Sequence, residues 1–376
     1  MELGAGFRHY AWDLTMNRFT RMLVTCSLAV GCAATPWLRA QEEALKTTAA
    51  TDIPVTTQKS RTLPVFTFYL ENDFFRGTDR YYTNGVKFSW LSADLTSWGQ
   101  TGWRKSFLEA LPFVNRPEGQ KNFGFALGQN IYTPTDTRVA VPDPNDRPYA
   151  GWSYVELSFL SKTESVADVL AIQLGMVGRH SYAQDIQRVV HKLNGNARPN
   201  GWEHQLGDEV GLNVVFERKW RMYARTLEQT LGIDFVPHVG ASVGNVQTYA
   251  NVGGTVRLGV NLPNDFGTQI IRAAGVVNSP LNDADPRVSE ARFWSVFLFG
   301  GVDARVVARD IFLDGNTFKD SPSVKKEIFV GDLSYGIGIV TGRWQFTYAQ
   351  VTRTREFKNQ PLDANDFGSI AFSRTF

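Results

Sequence analysis

The chain has 376 residues, 43% of them hydrophobic, and its 39 Lys and Arg nearly balance its 37 Asp and Glu. A chain of this length fits one large domain or two ordinary ones. The net charge of +2 provides no broad basic field, which argues against a nucleic-acid-binding protein.

The first 40 residues read as an upstream segment followed by a secretory signal peptide. The stretch from Met16 to Ala40 has a basic start, an apolar middle and a small-residue end. We expect residues 1–15 to be an upstream mis-start and cleavage to follow Ala40, with lipoprotein-type cleavage at Cys32 as the alternative. Both cysteines, Cys26 and Cys32, precede Ala40, so the mature chain is expected to contain no disulfide.

Residues 41–61 are polar and aperiodic, which predicts a flexible lead-in. No run of 18 apolar residues follows the leader, which argues against a helical membrane span. From residue 62 to residue 376 alternation dominates, and this range is the predicted barrel domain. In its first strand Phe66, Phe68 and Leu70 form an apolar row, and the residues between them form a second row that runs to Glu71 and Asp73.

About twelve strands follow this alternating pattern. After the first two, near 65–73 and 83–90, we expect strands at about 123–134, 151–162, 167–178, 209–225, 231–243, 249–262, 291–309, 325–340, 343–357 and 366–376. A soluble sandwich or lipocalin-like barrel is one alternative. The leader, the even strand count and the terminal Phe376 favour an all-β fold, an antiparallel transmembrane β-barrel with one short helix in an outer loop.

Strand parity places the unusual polar residues on one rim. If both ends of the barrel lie in the periplasm, the connection after each odd strand faces outward, including the loop at 74–82. Asn72 continues the lipid-facing apolar row, where an amide is costly without a partner. Asp73 and Thr83 flank the same loop, so pairing of the two strands is expected to bring them close.

The predicted helix covers "SYAQDIQRVVHKLNG", residues 181–195, in the outer loop after the fifth strand. Ser181 and Gln184 have the spacing of a capping box. The apolar stripe along the helix consists of Tyr182, Ile186, Val189, Val190 and Leu193. His191 lies about 160° from the middle of the stripe, with Gln187 one turn before it. The stripe is therefore expected to meet lipid or loops, with Gln187 and His191 facing the other way.

Four motifs in order resemble the outer-membrane lipid A 3-O-deacylases: "ENDFF" with "TDRYYTNG", "DRPYAGW", "QRVVHKLNG" with "GWEHQL", and "FLDGNTF". The resemblance covers nearly all of the chain after residue 62. It implies a twelve-stranded barrel, calcium dependence, and hydrolysis of the ester that links the 3′ acyloxyacyl chain to lipid A in the outer leaflet. Arg179 with His180, and His204, depart from the family pattern.

Ester hydrolysis needs a base and a means of stabilising the oxyanion. His191 is the candidate base, because imidazole titrates near neutral pH, and Gln187 is the candidate for orienting it. Asp73 is the candidate ligand for Ca²⁺, together with carbonyls of the 74–82 loop. Asn72 and Thr83 are expected to orient water or the ester.

Two cations near the rim, Lys87 and Arg80, are weaker candidates for the phosphates of lipid A. Two other functions stay open. One is a passive outer-membrane channel. The other is a different lipid-active barrel, such as a phospholipase or acyltransferase.

Overall fold

The computed structural model describes residues 63–73, 81–95, 97–98, 102, 106, 109–110, 114, 116, 118–194, 197–227, 230–267, 271, 278–289, 294–361 and 364–376. The predicted signal peptide and lead-in lie outside these residues. Most of the predicted barrel domain lies within them.

Antiparallel strands make up most of the described chain. They are β1 (Val65–Asn72), β2 (Tyr81–Leu91), β3 (Gln120–Thr133), β4 (Ala150–Lys162), β5 (Val166–Val177), β6 (Glu209–Trp220), β7 (Met222–Leu227), β8 (Leu231–Gly244), β9 (Gln247–Val260), β10 (Trp294–Asp310), β11 (Phe329–Thr341), β12 (Trp344–Thr354) and β13 (Ala364–Thr375). Among the elements described in full, the helices α1 (Ala183–Asn194) and α2 (Ile311–Asp314) lie in connections, as do the 3-10 turns Arg179–Ser181 and Gly201–His204.

The sheet closes on itself as a twelve-stranded barrel. Consecutive strands pair with each other except β6 and β7, β1 pairs with β13, and β6 pairs with β8 to complete the ring. β7 continues β6 after a break at Arg221, since both pair with β8: Lys219 lies opposite His238, and Met222 lies opposite Phe235. The prediction of twelve strands is therefore confirmed, and the range 209–225 forms one bent strand.

The two faces of the wall have opposite chemistry. Phe88 and Trp90 of β2 are exposed on the outside, whereas Lys87 and Ser89, which alternate with them along the strand, are buried in the lumen. The same alternation recurs around the wall, with exposed Leu127, Leu157, Leu174, Leu212, Leu258, Leu298 and Phe372. An apolar exterior and a polar interior suit a barrel in lipid. The soluble alternative, which places its apolar row inside, is therefore wrong.

The first and last strands meet at one end of the barrel. Val65 lies opposite Thr375, and the Phe376 N–H donates to the Pro64 carbonyl at 3.0 Å. At this rim Arg374 stacks between the rings of Trp344 and Phe376, 4.8 Å from each centroid. The connections after β1, β3 and β5 consequently lie at the opposite end, as the parity argument predicts.

Described residues of the connection between β9 and β10 lie in the lumen. Asp265 of this connection binds Arg257 of the wall, and Arg287 binds Asp265 and Asp285 at 2.7 Å each. Farther along the lumen, the Ile271 N–H donates to Glu71, one residue before the outer end of β1. This segment therefore enters from the end where the termini meet and reaches almost to the outer mouth.

A cavity of about 70 Å³ remains in the outer half of the lumen. Its lining includes Tyr82, Tyr132, Trp152, Ile271, Asp332 and Arg353. This volume holds only a few water molecules.

Candidate active site

A row of outward-facing residues crosses four strands at the outer rim. Asn72 of β1 lies opposite Asn84 of β2, Asn84 lies opposite Ile131 of β3, and Ile131 lies opposite Gly151 of β4. With strands spaced about 4.8 Å apart, Asn72 lies roughly 10 Å from Ile131 along this row. The row begins with two amides and continues into an apolar and a glycine position.

The start of α1 packs on this row from outside the barrel. A Cβ at Gly151 would collide with Ser181 Oγ and Ala183 Cβ, so glycine permits the close approach. The Ser181 carbonyl also accepts hydrogen bonds from Gln129 Nε2 at 2.8 Å and Ser153 Oγ at 2.7 Å. The chain therefore enters the helix from a point fixed to the wall.

The helix turns its polar face inward and its apolar stripe outward. Gln184, Gln187 and His191 are buried, whereas Tyr182, Ile186 and Val189 are exposed. The predicted direction of Gln187 and His191 is thus correct, and the stripe continues the apolar exterior of the barrel. Among the described residues, no helix has the length and apolar character needed to cross a membrane.

The helix begins two residues later than the sequence predicts. The Tyr182 carbonyl accepts the first helical hydrogen bond, from the Ile186 N–H at 3.1 Å. The Ser181 hydroxyl instead donates to the Gly178 carbonyl at 2.6 Å, within the preceding 3-10 turn. The expected capping box at Ser181 is therefore wrong, because that side chain closes the turn before the helix.

His191 is held by a backbone carbonyl. Its Nδ1 lies 2.6 Å from the Ala197 carbonyl oxygen, and its side chain is 5% exposed. A carbonyl only accepts, so Nδ1 carries the proton and donates it. The neutral ring then keeps its lone pair on Nε2. Nε2 is accordingly the atom of His191 able to take a proton from water.

Gln187 has a different partner from the expected one. Its Oε1 accepts from the indole Nε1 of Trp202 at 2.7 Å, and both side chains are buried. The described contacts therefore assign the orientation of His191 to the Ala197 carbonyl, and Gln187 is oriented by Trp202. Trp202 packs in turn on Tyr149, with ring centroids 4.9 Å apart.

Two of the family-like motifs support this arrangement from neighbouring loops. In "FLDGNTF", Asn316 exchanges hydrogen bonds with both the N–H and the carbonyl of Gly207. In "DRPYAGW", buried Arg147 donates to Glu356 at 3.1 Å and stacks on Tyr132. Both motifs tie the segments around Trp202 and Tyr149 to the barrel mouth.

Asp73 directly follows Asn72, the last residue of β1, and its side chain is 1% exposed. Thr83 lies where the pairing of β2 with β3 shifts by one residue, a bulge in the strand. The loop that follows Asp73, including Arg80, lies outside the described residues. In the described part of the chain, no three His, Cys, Asp or Glu side chains converge as a metal cluster.

The chemistry of Asp73 and Asn72 nevertheless suits calcium. A carboxylate and an amide oxygen are hard donors, and calcium completes its shell with backbone carbonyls and water. Asp73 would hold the ion, with Asn72 beside it. Both cysteines of the chain lie before residue 40, outside the described residues.

Lys87 does not lie at the outer rim, where a phosphate-binding residue was expected. Its ammonium lies in the lumen, 2.9 Å from Glu156, and the side chain is 2% exposed. Gln173 donates to the other Glu156 oxygen at 2.8 Å. An ammonium paired inside the barrel is not positioned to meet a phosphate in the outer leaflet. The expected role of Lys87 in binding phosphate is therefore corrected to an interior ion pair.

The residues that depart from the family pattern lie on the outer loops. His180 meets Asp208 through its backbone N–H at 2.8 Å and its ring Nδ1 at 2.6 Å. Burial opposes ionisation of Asp208, but the hydrogen bonds from His180 keep the pKa of this carboxyl below its ordinary value. His180 therefore supports the turn before α1.

Two further candidate site residues, Asn84 and Trp202, were not predicted from the sequence. Asn84 continues the outward row of Val86, Phe88 and Trp90, yet it is only 8% exposed. The sequence "TNG" around Asn84 is typical of a turn. The alternation of the strand nevertheless places Asn84 on the lipid side, as it does Asn72. Trp202 belongs to a quoted motif, but its contact with Gln187 joins residues fifteen positions apart and has no local signal.

The fold and the rim define an outer-membrane β-barrel with a candidate site between its wall and a loop helix. The model of the family described as Outer membrane protein LpxR matches residues 27–376, and the chain belongs to that family. The resemblance drawn from the motifs is thereby confirmed, and the protein is assigned to the bacterial outer membrane.

Solved structures support the fold. LpxR from Salmonella typhimurium superposes with a TM-score of 0.64 at 19% identity, covering 83% of this chain and 100% of that chain. The β domain of the Bordetella autotransporter BrkA gives 0.35 at 10% identity, covering 84% and 99%. The translocator domain of NalP from Neisseria meningitidis gives 0.36 at 8%, covering 91% and 98%.

The first likeness shows a shared fold, and the two lower scores support no conclusion. A search of curated proteins found no significant match.

Proposed function

We propose that this protein is a calcium-dependent lipid A 3-O-deacylase that hydrolyses the ester of the 3′ acyloxyacyl chain. Membership of the LpxR family and the fixed tautomer of His191 support this proposal. The contact between His191 Nδ1 and the Ala197 carbonyl is the single observation that carries it, because it places the ring proton on Nδ1 and the lone pair on Nε2, as a general base requires. The substrate is lipopolysaccharide in the outer leaflet.

The reaction begins with proton transfer from water to His191 Nε2. The hydroxide formed attacks the ester carbonyl and gives a tetrahedral oxyanion. When calcium is bound at Asp73, the ester carbonyl is polarised by its positive charge. Asn72 and Thr83 orient the ester or the water. Collapse of the intermediate breaks the bond to the sugar oxygen, and His191 returns its proton to that leaving oxygen.

The location on the outside of the wall suits a lipid substrate. The exposed stripe of Tyr182, Ile186 and Val189 continues the apolar exterior next to the candidate site. An acyl chain can therefore reach the rim while staying in the membrane. The ion pair inside the lumen between Arg257 of the wall and Asp265 of the β9–β10 connection supports this lateral route over the passive channel.

Mass spectrometry of lipid A tests the proposal. Cells that produce the protein are expected to contain lipid A lighter by one acyloxyacyl chain than cells without it. Purified protein with lipid A and calcium is expected to release the same chain. Loss of an acyl chain from another position, or from phospholipid only, would favour another lipid-active barrel.

A further inference from the structure

We propose that Trp202 is a positioning residue that directs the amide NH₂ of Gln187 to the ester as a hydrogen-bond donor. This inference rests on the proposed function and deepens it. Gln187 is then the residue that touches the substrate, and Trp202 acts through it.

The partner of Gln187 determines which way its amide points. Trp202 Nε1 is only a donor, so the atom that it meets at 2.7 Å is the amide oxygen of Gln187. The NH₂ group lies on the other branch of the planar amide and points away from the indole. A partner that both donates and accepts, such as a hydroxyl, would leave both orientations open.

The indole itself is a fixed point on the barrel wall. Trp202 is 1% exposed and packs with Ile131, Tyr149 and Ala183. The Tyr149 hydroxyl donates to the Thr137 carbonyl at 3.2 Å. Because these contacts join β3, the loop before β4 and the start of α1, the indole has little freedom to follow a moving glutamine.

The Gln187 NH₂ group is buried, and it finds no acceptor among the described residues. A buried donor without an acceptor is destabilising. Such a group is tolerated where a ligand supplies the missing acceptor. The carbonyl oxygen of an ester is an acceptor of this kind, and its capacity to accept grows as the oxyanion forms.

The spacing on α1 joins this donor to the base. Gln187 and His191 are four residues apart on the same buried face, so their Cβ atoms are separated by about 6 Å. A water molecule held by His191 Nε2 and an ester oxygen held by Gln187 Nε2 fit that interval. The helix thus carries the base and one oxyanion donor on consecutive turns.

The kinetic test compares Trp202→Phe with Gln187→Leu on purified lipid A. Trp202→Phe keeps an aromatic ring against Tyr149 but removes the indole N–H. We expect kcat to fall roughly 10- to 100-fold with little change in KM, because the donor acts mainly on the transition state. In the Gln187→Leu background, Trp202→Phe is expected to cause no further loss. Equal losses in both backgrounds would overturn the proposal, since Trp202 would then act only by packing.

A second variant, Gln187→Glu, tests the NH₂ group of the amide separately from its oxygen. The carboxylate of Gln187→Glu still accepts from Trp202, but it has no N–H to donate. We expect it to lose as much activity as Gln187→Leu, with heat-modifiable migration unchanged for every variant. An active Gln187→Glu protein would show that the NH₂ group is not used.

A spectroscopic test does not depend on activity. In protein labelled with ¹⁵N-tryptophan in micelles, the Trp202 indole resonance is identified by its disappearance in Trp202→Phe. Gln187→Leu is expected to move it upfield and speed its exchange, whereas the control Lys192→Ala leaves it unchanged. An unmoved resonance in Gln187→Leu would overturn the proposed orientation. A moved resonance in a protein that releases no acyl chain would refute the deacylase function and leave the contact established.

Discussion

Asn72 of β1 and Asn84 of β2 are direct cross-strand partners at the outer end of a lipid-facing row. The preceding pairs of this row, Leu70 with Val86 and Phe68 with Phe88, are apolar. Two adjacent amides therefore interrupt an otherwise apolar row on the lipid side of the wall. Because they lie beside the start of α1, we expect them to contact the substrate.

Asn84→Leu tests this interpretation. Leucine suits the lipid-facing row, so we expect the free energy of unfolding of the barrel to stay within about 1 kcal/mol of wild type. Turnover of lipid A is expected to fall roughly tenfold or more, the scale of one lost active-site hydrogen bond to a charged group. Unfolding in urea and acyl release measure the two effects. A destabilised but fully active variant would assign Asn84 to strand pairing alone.

His191→Ala is expected to lower turnover by roughly two or more orders of magnitude, the usual scale for loss of a general base. The barrel should still assemble, as judged by heat-modifiable migration, because α1 lies outside the sheet. Lys192→Ala is the matched control, since Lys192 is exposed and lies about 100° around the helix. It should keep turnover within a few fold of wild type. Similar losses from both variants would mean that α1 contributes only packing.

A calcium chelator is expected to abolish acyl release from purified lipid A, and added calcium to restore it. Asp73→Asn removes the carboxylate and should raise the calcium concentration needed for half-maximal rate by at least about tenfold. Asp136→Asn makes the same charge change on an exposed outer-loop residue and should leave that concentration unchanged. Undiminished activity in chelator would leave Asp73 without a metal-binding role.

Gly151→Ala is expected to displace the start of α1, because its Cβ would meet Ser181 and Ala183. Overpacking of this kind costs about 1–3 kcal/mol, so turnover should fall while the sheet remains paired. Gly300→Ala is the control, because the nearest atom to its added Cβ is the Ser334 carbonyl oxygen at 3.9 Å. Activity and circular dichroism together check the result. Full activity of Gly151→Ala would show that the contact between the start of α1 and the wall can adapt to the added methyl group.

The ion network in the lumen predicts sensitivity to acid. Burial opposes ionisation of Asp265, but Arg287 and Arg257 lower its pKa from 3.8 to about 2. Because the folded-state pKa is depressed, the stabilisation is fully present above the ordinary value. It is lost as the pH falls from 3.8 towards 2.

The midpoint temperature of heat-modifiable migration should therefore drop between about pH 4 and about pH 2. Asp265→Asn should show a weaker dependence in that window and a lower midpoint at neutral pH. Asp283→Asn, an exposed change in the same connection, should behave as wild type. Equal acid responses in all three proteins would assign the effect to other carboxyls.

The periodicity of the sequence was sufficient to predict the strands of the barrel wall and the face of α1 that turns towards the wall. Lipid outside and polar groups inside impose a period of two on every strand, so the strand limits deviate by only a few residues. The same logic places Asn72 on the lipid side. On α1, the separation of Gln187 and His191 from the apolar stripe follows from 3.6 residues per turn, and the structure agrees.

Contacts between distant residues were decided only by the tertiary structure. Lys87 meets Glu156 across 69 positions, and Ile271 meets Glu71 across 200, so neither the interior ion pair nor the contact of the β9–β10 connection with the wall leaves a local signal. The partner of His191 lies only six residues away, yet the path of the chain after the helix determines it. Trp202 reaches Gln187 because both pack on one wall. Local periodicity fixes which face a side chain occupies, whereas its partner there depends on which segments the closed barrel brings together.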